Sequence, residues 1–141
     1  MTRLIVVGVD GSPTARKAAR TAADLATGIG ARLHVISAYD RDRVQEVVGE
    51  GTDRWLLSSA DEAATIARDV ADSVTGDGLE VTSAAAVGKP GEALVSEAER
   101  LDATMIVVGN KRVQGIGRVL GSVATAVAQH APCDVYIAKT V

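Results

Sequence analysis

Five short stretches read as strands: Leu4 to Val7 and Met105 to Val108, which are apolar without interruption, together with Leu33 to Ile36, the segment from about Glu80 to Val87, and Val135 to Ala138. Continuous apolar runs of this length mark strands buried on both faces. Between them the period changes to that of a helix. Ala15, Ala18, Ala19, Ala22, Leu25, Ala26 and Ile29 form one stripe, with Arg16, Lys17, Arg20 and Asp24 mostly outside it. Ser12 and Pro13 open that helix as N-cap and first position, and Gly28 and Gly30 close it. A second stripe comprises Ala63, Ile66, Ala67, Val70, Ala71 and Val74, preceded by Ser59 and Glu62 at capping-box spacing. Pro90 starts a third helix with Leu94, Val95, Ala98 and Leu101 on one face. The fourth carries Leu120, Val123, Ala124, Val127 and Ala128 and is broken by Pro132. Residues 38–57 form a polar connection in which a short helix is expected near Val44 to Val48.

The resulting order, βαβαβαβαβ, has crossovers long enough for parallel strands. It predicts one α/β domain over residues 1–141: an open five-stranded parallel sheet with helices on both faces, Rossmann-like in layout. Ligands of such sheets bind beyond the carboxyl ends of the strands, where the strand order reverses. With order 3-2-1-4-5 the reversal falls between the first and fourth strands. Asp10, just past the first strand, and Gly109, just past the fourth, then share one crevice.

Composition narrows the function. The chain has no Phe, one Trp and two Tyr, so its core is aliphatic and offers little for stacking on nucleic-acid bases. A net charge of −3 is unlike that of a general nucleic-acid or anionic-membrane binder. One cysteine, Cys133, makes neither an internal disulfide nor a cysteine-based zinc site. The first apolar run is too short for a signal peptide and no stretch reaches membrane-spanning length, so a cytoplasmic location is expected.

Within this acidic chain one region stands apart. From Ala103 to Cys133 there is no Asp or Glu, where average composition would place about four. The same region holds the glycines of Gly109 to Ser122 and the cations Lys111, Arg112 and Arg118. Glycines let backbone N–H groups turn toward an anion, and the helix opening at Gly121-Ser122 adds positive potential. A phosphate cradle and a simple turn between strand and helix both fit. The loop is neither a Walker A sequence nor a Rossmann dinucleotide fingerprint. Asp10 before Gly11 fits turn chemistry or a carboxylate for a ribose or base amine. His34, within a strand pattern, reads as a core or edge histidine. Trp55 reads as an anchor of its connection or a lid over a ligand. No catalytic constellation or metal-ligand cluster is evident.

These residues resemble the universal stress proteins over essentially the whole length. The resemblance rests on Ile5 to Ser12, on Leu33 to Ile36, on Met105 to Asn110, on Gly121 to Ala124 and on His130 to Val135. It implies the adenine nucleotide alpha hydrolase-like fold with strand order 3-2-1-4-5, and an adenine-nucleotide-binding, regulatory role in the stress response. The ligand would be ATP, AMP or cyclic AMP, with magnesium accompanying ATP. It places Gly8, Val9 and Asp10 at the ribose and adenine end, Val35 beside the base, and Val108 and Gly109 along the site. Gly121, Ser122 and Val123 are placed at the phosphates. It further implies a homodimer through the last strand, about Asp134 to Lys139, which would cover a sheet edge. The family's Gly-x2-Gly-x9-Gly-Ser/Thr pattern is altered here. Arg112 occupies the second glycine position and eight residues, not nine, precede Gly121. Lys111 and Arg112 are then expected to meet phosphate by charge where backbone contacts are lost. A slow ATPase or phosphoryl-transfer enzyme, and a nucleotide-free interaction module, are the competing readings.

Overall fold

The computed structural model describes residues 3–39, 52–76, 78–110 and 120–141. Five strands, β1 (Leu4–Gly8), β2 (Arg32–Tyr39), β3 (Val81–Val87), β4 (Met105–Gly109) and β5 (Asp134–Ala138), alternate with four helices. These are α1 (Pro13–Ile29), α2 (Thr52–Val74), α3 (Pro90–Leu101) and α4 (Ser122–His130). All strand pairings are parallel, in the order β3-β2-β1-β4-β5.

The apolar residues of the strands feed two cores. Ile5, Val7, Leu33, Val35 and Val107 face α1 and α2; Leu4, Val6, Ile36, Ile106 and Val108 face α3 and α4. Successive strand residues point to opposite faces, so every position of Leu4 to Val7 is buried on one side or the other. The buried residues of helix α1 are all alanines, Ala18, Ala19, Ala22, Ala23 and Ala26, with Leu25 packed at the edge of the same core.

Capping follows the sequence at both ends of α1. Ser12 Oγ accepts the Ala15 N–H at 3.2 Å, and Gly30 takes the left-handed conformation at φ 70°. Gly28 does not end the helix but lies within its last turn. Helix α2 also differs from expectation. It begins at Thr52, so Ser59 lies inside the helix and is not its N-cap. The Ser-x-x-Glu spacing is compatible with a helix interior, and no Gly or Pro stands between Gly51 and Gly76 to stop the helix from extending upstream. Leu120 precedes α4 instead of joining its stripe, and is exposed. The short helix expected near Val44 to Val48, the side chain of Trp55, and Lys111, Arg112 and Arg118 lie outside the described residues.

Candidate functional site

The carboxyl ends of β1 and β4 diverge toward their separate crossovers and leave a cavity of about 170 Å³. Gly8, Val9 and Asp10 line it from the exit of β1, and Val108 and Gly109 from the exit of β4. Two close approaches explain the glycines. A Cβ on Gly8 would stand 2.9 Å from Leu94 Cδ1, and one on Gly109 would stand 3.1 Å from Thr140 Oγ1.

Past Gly8 the chain turns sharply. Val9 N–H donates to the Ile36 carbonyl at 2.8 Å, holding the β1 exit against β2. Asp10 Oδ1 accepts the Ser12 N–H at 3.0 Å across Gly11, whose φ of 84° suits glycine. The Asp10 carboxylate therefore has one oxygen fixed by the turn while the residue remains exposed at the cavity.

Three helix N-termini surround the same space: α1 through Ser12, Thr14 and Ala15, α3 through Pro90, and α4 through Val123. The parallel topology produces this, since each helix starts near the carboxyl end of the preceding strand. Their N-terminal N–H groups and dipoles favour an anion. Neither α1 nor α4 has an acidic residue in its first turn, and the Gly121 N-cap of α4 supplies no side-chain cap.

The walls are of two kinds. Val9, Ile36, Leu94, Val108 and Val123 are apolar; Asp10, Ser12, Thr14 and Thr140 carry oxygens. Among the described lining residues Asp10 is the one ionisable group. The cavity thus suits a ligand with a flat apolar part, hydroxyls and a negative charge. No cluster of metal-ligating side chains occurs among the described residues.

Of the positions singled out in the sequence, Gly8, Val9, Asp10, Val108, Gly109 and Val123 line the cavity. Gly121 and Ser122 form the adjoining start of α4. Val35 is not brought there. Its side chain is fully buried in the core facing α1 and α2, and its neighbour Ile36, on the opposite face of β2, reaches the cavity instead. Besides Ile36, sequence reading missed Ser12, Thr14, Ala15, Ala38, Pro90, Leu94 and Thr140 as lining residues. Strand alternation could have found Ile36, because it is level with Gly8 in the parallel register. No local signal marks Thr140.

Beneath the Ile36–Leu94 wall lies a polar group. His34, two residues before Ile36, is buried; its Nδ1 is 2.7 Å from Thr82 Oγ1 and its Nε2 is 3.4 Å from Glu97 Oε2. The latter pair is close enough for charge attraction but not aligned as a hydrogen bond. Burial lowers the His34 pKa below its ordinary 6.5, outweighing the opposing pull of Glu97. Glu97 is held below its usual value first by its hydrogen bonds from Arg100, both at 2.9 Å.

The comparisons agree with this geometry. The model of the universal stress protein family matches residues 1–139. The chain belongs to the universal stress protein family. A universal stress protein of Thermus aquaticus, encoded in the 3' region of a QAH/OAS sulfhydrylase, is 33% identical over 99% of this chain and 100% of its own length. A universal stress protein solved in complex with cAMP superposes with a TM-score of 0.71 at 31% identity, covering 99% of this chain and 98% of the other. The universal stress protein from Archaeoglobus fulgidus in complex with dAMP superposes at 0.61 with 25% identity, covering 96% of each chain. Binding of adenine nucleotides is therefore an attribute of universal stress proteins similar to this one along nearly the whole chain. Among the described residues no helix is long and apolar enough to cross a membrane.

Proposed function

We propose that this universal stress protein binds an adenine nucleotide in the cavity between β1 and β4 and acts as a regulatory protein in the stress response. The observation that carries the reading is the cavity itself. It lies at the reversal of strand order, between three helix N-termini, with Asp10 as its one described ionisable wall. The similarity to proteins solved with cAMP and dAMP supports the same ligand class.

The residues fit such a ligand. Ile36, Leu94 and Val108 offer apolar surface to the base, and Asp10 an acceptor to the ribose hydroxyls. Val123 and the start of α4 offer N–H groups to phosphate. The absence of side chains at Gly8 and Gly109 keeps the cavity floor open, since a Cβ at either position would crowd a lining residue. ATP, AMP and cyclic AMP share the adenosine part and differ at the phosphate end. If ATP is the ligand, magnesium would rest chiefly on its phosphates, with Asp10 as the nearby carboxylate. Occupancy, rather than turnover, is the signal in this reading, since the described walls pair no general base with a second acid. The β5 edge, with Tyr136 exposed, would pair with a second copy of the chain.

Mass spectrometry of small molecules released from the denatured, purified protein should identify an adenine nucleotide. Calorimetry should give saturable heat with at least one of ATP, AMP and cyclic AMP. Protein carrying no nucleotide and giving no saturable heat with any of the three would refute the proposal.

A further inference from the structure

Thr140 lies beyond the last strand, yet it is buried and lines the cavity beside Gly109. Asn110 holds it there. The Asn110 N–H donates to the Ala138 carbonyl at 3.0 Å, continuing the β4–β5 pairing by one residue. The Asn110 side chain then gathers the segment that follows: Oδ1 accepts the Thr140 N–H at 2.8 Å, the Thr140 hydroxyl at 3.2 Å and the Val141 N–H at 3.2 Å. Two backbone N–H donors on the same atom fix it as the amide oxygen, because the amide nitrogen accepts nothing. The Thr140 hydroxyl proton is therefore committed to Asn110, and its oxygen is left as a hydrogen-bond acceptor. Gly109 eases the approach, since a Cβ on residue 109 would stand 3.1 Å from Thr140 Oγ1 and 3.3 Å from its Cγ2, tighter than ordinary contact.

Resting on the nucleotide-binding reading, we infer that Thr140 is a ligand-contacting residue of the cavity, accepting an O–H or N–H of the nucleotide, and that Asn110 is the positioning residue that sets it in place. The nucleotide site thus includes a wall from the segment after β5, fixed by one side chain that touches no ligand itself. Ser12 and Thr14, by contrast, are tied to each other at 3.1 Å within the α1 turn and need no distant partner.

Calorimetry with AMP and cyclic AMP on Thr140→Val, Thr140→Ser, Asn110→Ala and the Asn110→Ala/Thr140→Val double variant tests this. Thr140→Val is nearly isosteric, so it tests the contact even where Asn110→Ala fails to fold. It should weaken binding about five- to tenfold, the effect of one lost hydrogen bond, and Thr140→Ser should recover most of that loss. Asn110→Ala should weaken binding to a similar degree. In the Thr140→Val background it should add little, because its effect passes through the hydroxyl already removed. A Thr140→Val protein binding within twofold of the unsubstituted chain overturns the contact. Fully additive losses in the double variant overturn the positioning role. An unsubstituted protein that binds neither nucleotide, nor ATP, overturns the underlying functional reading and this inference with it.

Discussion

Asp10 shows how much one residue decides here. Its Oδ1 is occupied by the Ser12 N–H, so the turn orients the carboxylate before any ligand arrives. Asp10→Ala removes both the turn bond and a charged acceptor. Hydrogen bonds to charged groups contribute about 1.5–3 kcal/mol, so nucleotide affinity should drop at least tenfold, read by calorimetry, while the sheet stays folded. Other residues were legible to different degrees. Asp10 announced itself by following a buried strand and preceding Gly11. Val35 lies in the core and its neighbour Ile36 lines the cavity, because in a strand one position is the opposite face. Thr140 was invisible because its place depends on a bond to Asn110, thirty residues away, and no local pattern encodes that pairing.

At the scale of elements, α3 and α4 pack together at a glycine. A Cβ on Gly91 would sit 2.9 Å from Ala126 Cβ, an atom fixed to the α4 backbone that cannot swing aside. Gly91→Ala should therefore destabilise the protein by about 1–3 kcal/mol, the usual cost of overpacking, despite alanine's better helix propensity. Urea denaturation monitored by circular dichroism would show it as a lower midpoint. Both helices begin at the cavity, through Pro90 and Val123, so the same substitution should also weaken nucleotide binding. The existence and type of every described element were readable from apolar periodicity. Helix starts were less so. Pro13 and Pro90 mark theirs because proline fits only the first turn, whereas Ser59 and Glu62 suggested a start that the longer α2 passes through.

The whole molecule should lose stability on acidification, and the sign follows from two groups. The His34 pKa is depressed by burial, so the unfolded chain takes up a proton near pH 6.5 that the folded one resists. Stability should begin to fall as the pH drops through about 6.5. Glu97, also depressed, contributes stability above its ordinary 4.5, and that contribution is lost as the pH falls through that value and below. Urea midpoints measured from pH 7.5 to 4 should decline in both windows. His34→Gln, which keeps a polar group for Thr82, should flatten the upper decline alone; an unchanged slope between pH 7 and 5.5 would rule out His34 as its source.

The parallel, doubly wound sheet was legible at this scale from the alternation of strand and helix, whereas the order β3-β2-β1-β4-β5 was expected only from the family resemblance, since periodicity does not say which strands lie side by side. That order has one more consequence. The cavity joins residues 8–15 to Thr140, which is synthesised long after them, and its middle walls come from β2, α3, β4 and α4 in between. A growing chain has no finished site until β5 is laid beside β4. A bound nucleotide therefore reports a chain folded from β1 through the segment after β5, and a chain cleaved before β5 should drop its nucleotide even where the rest of the sheet persists.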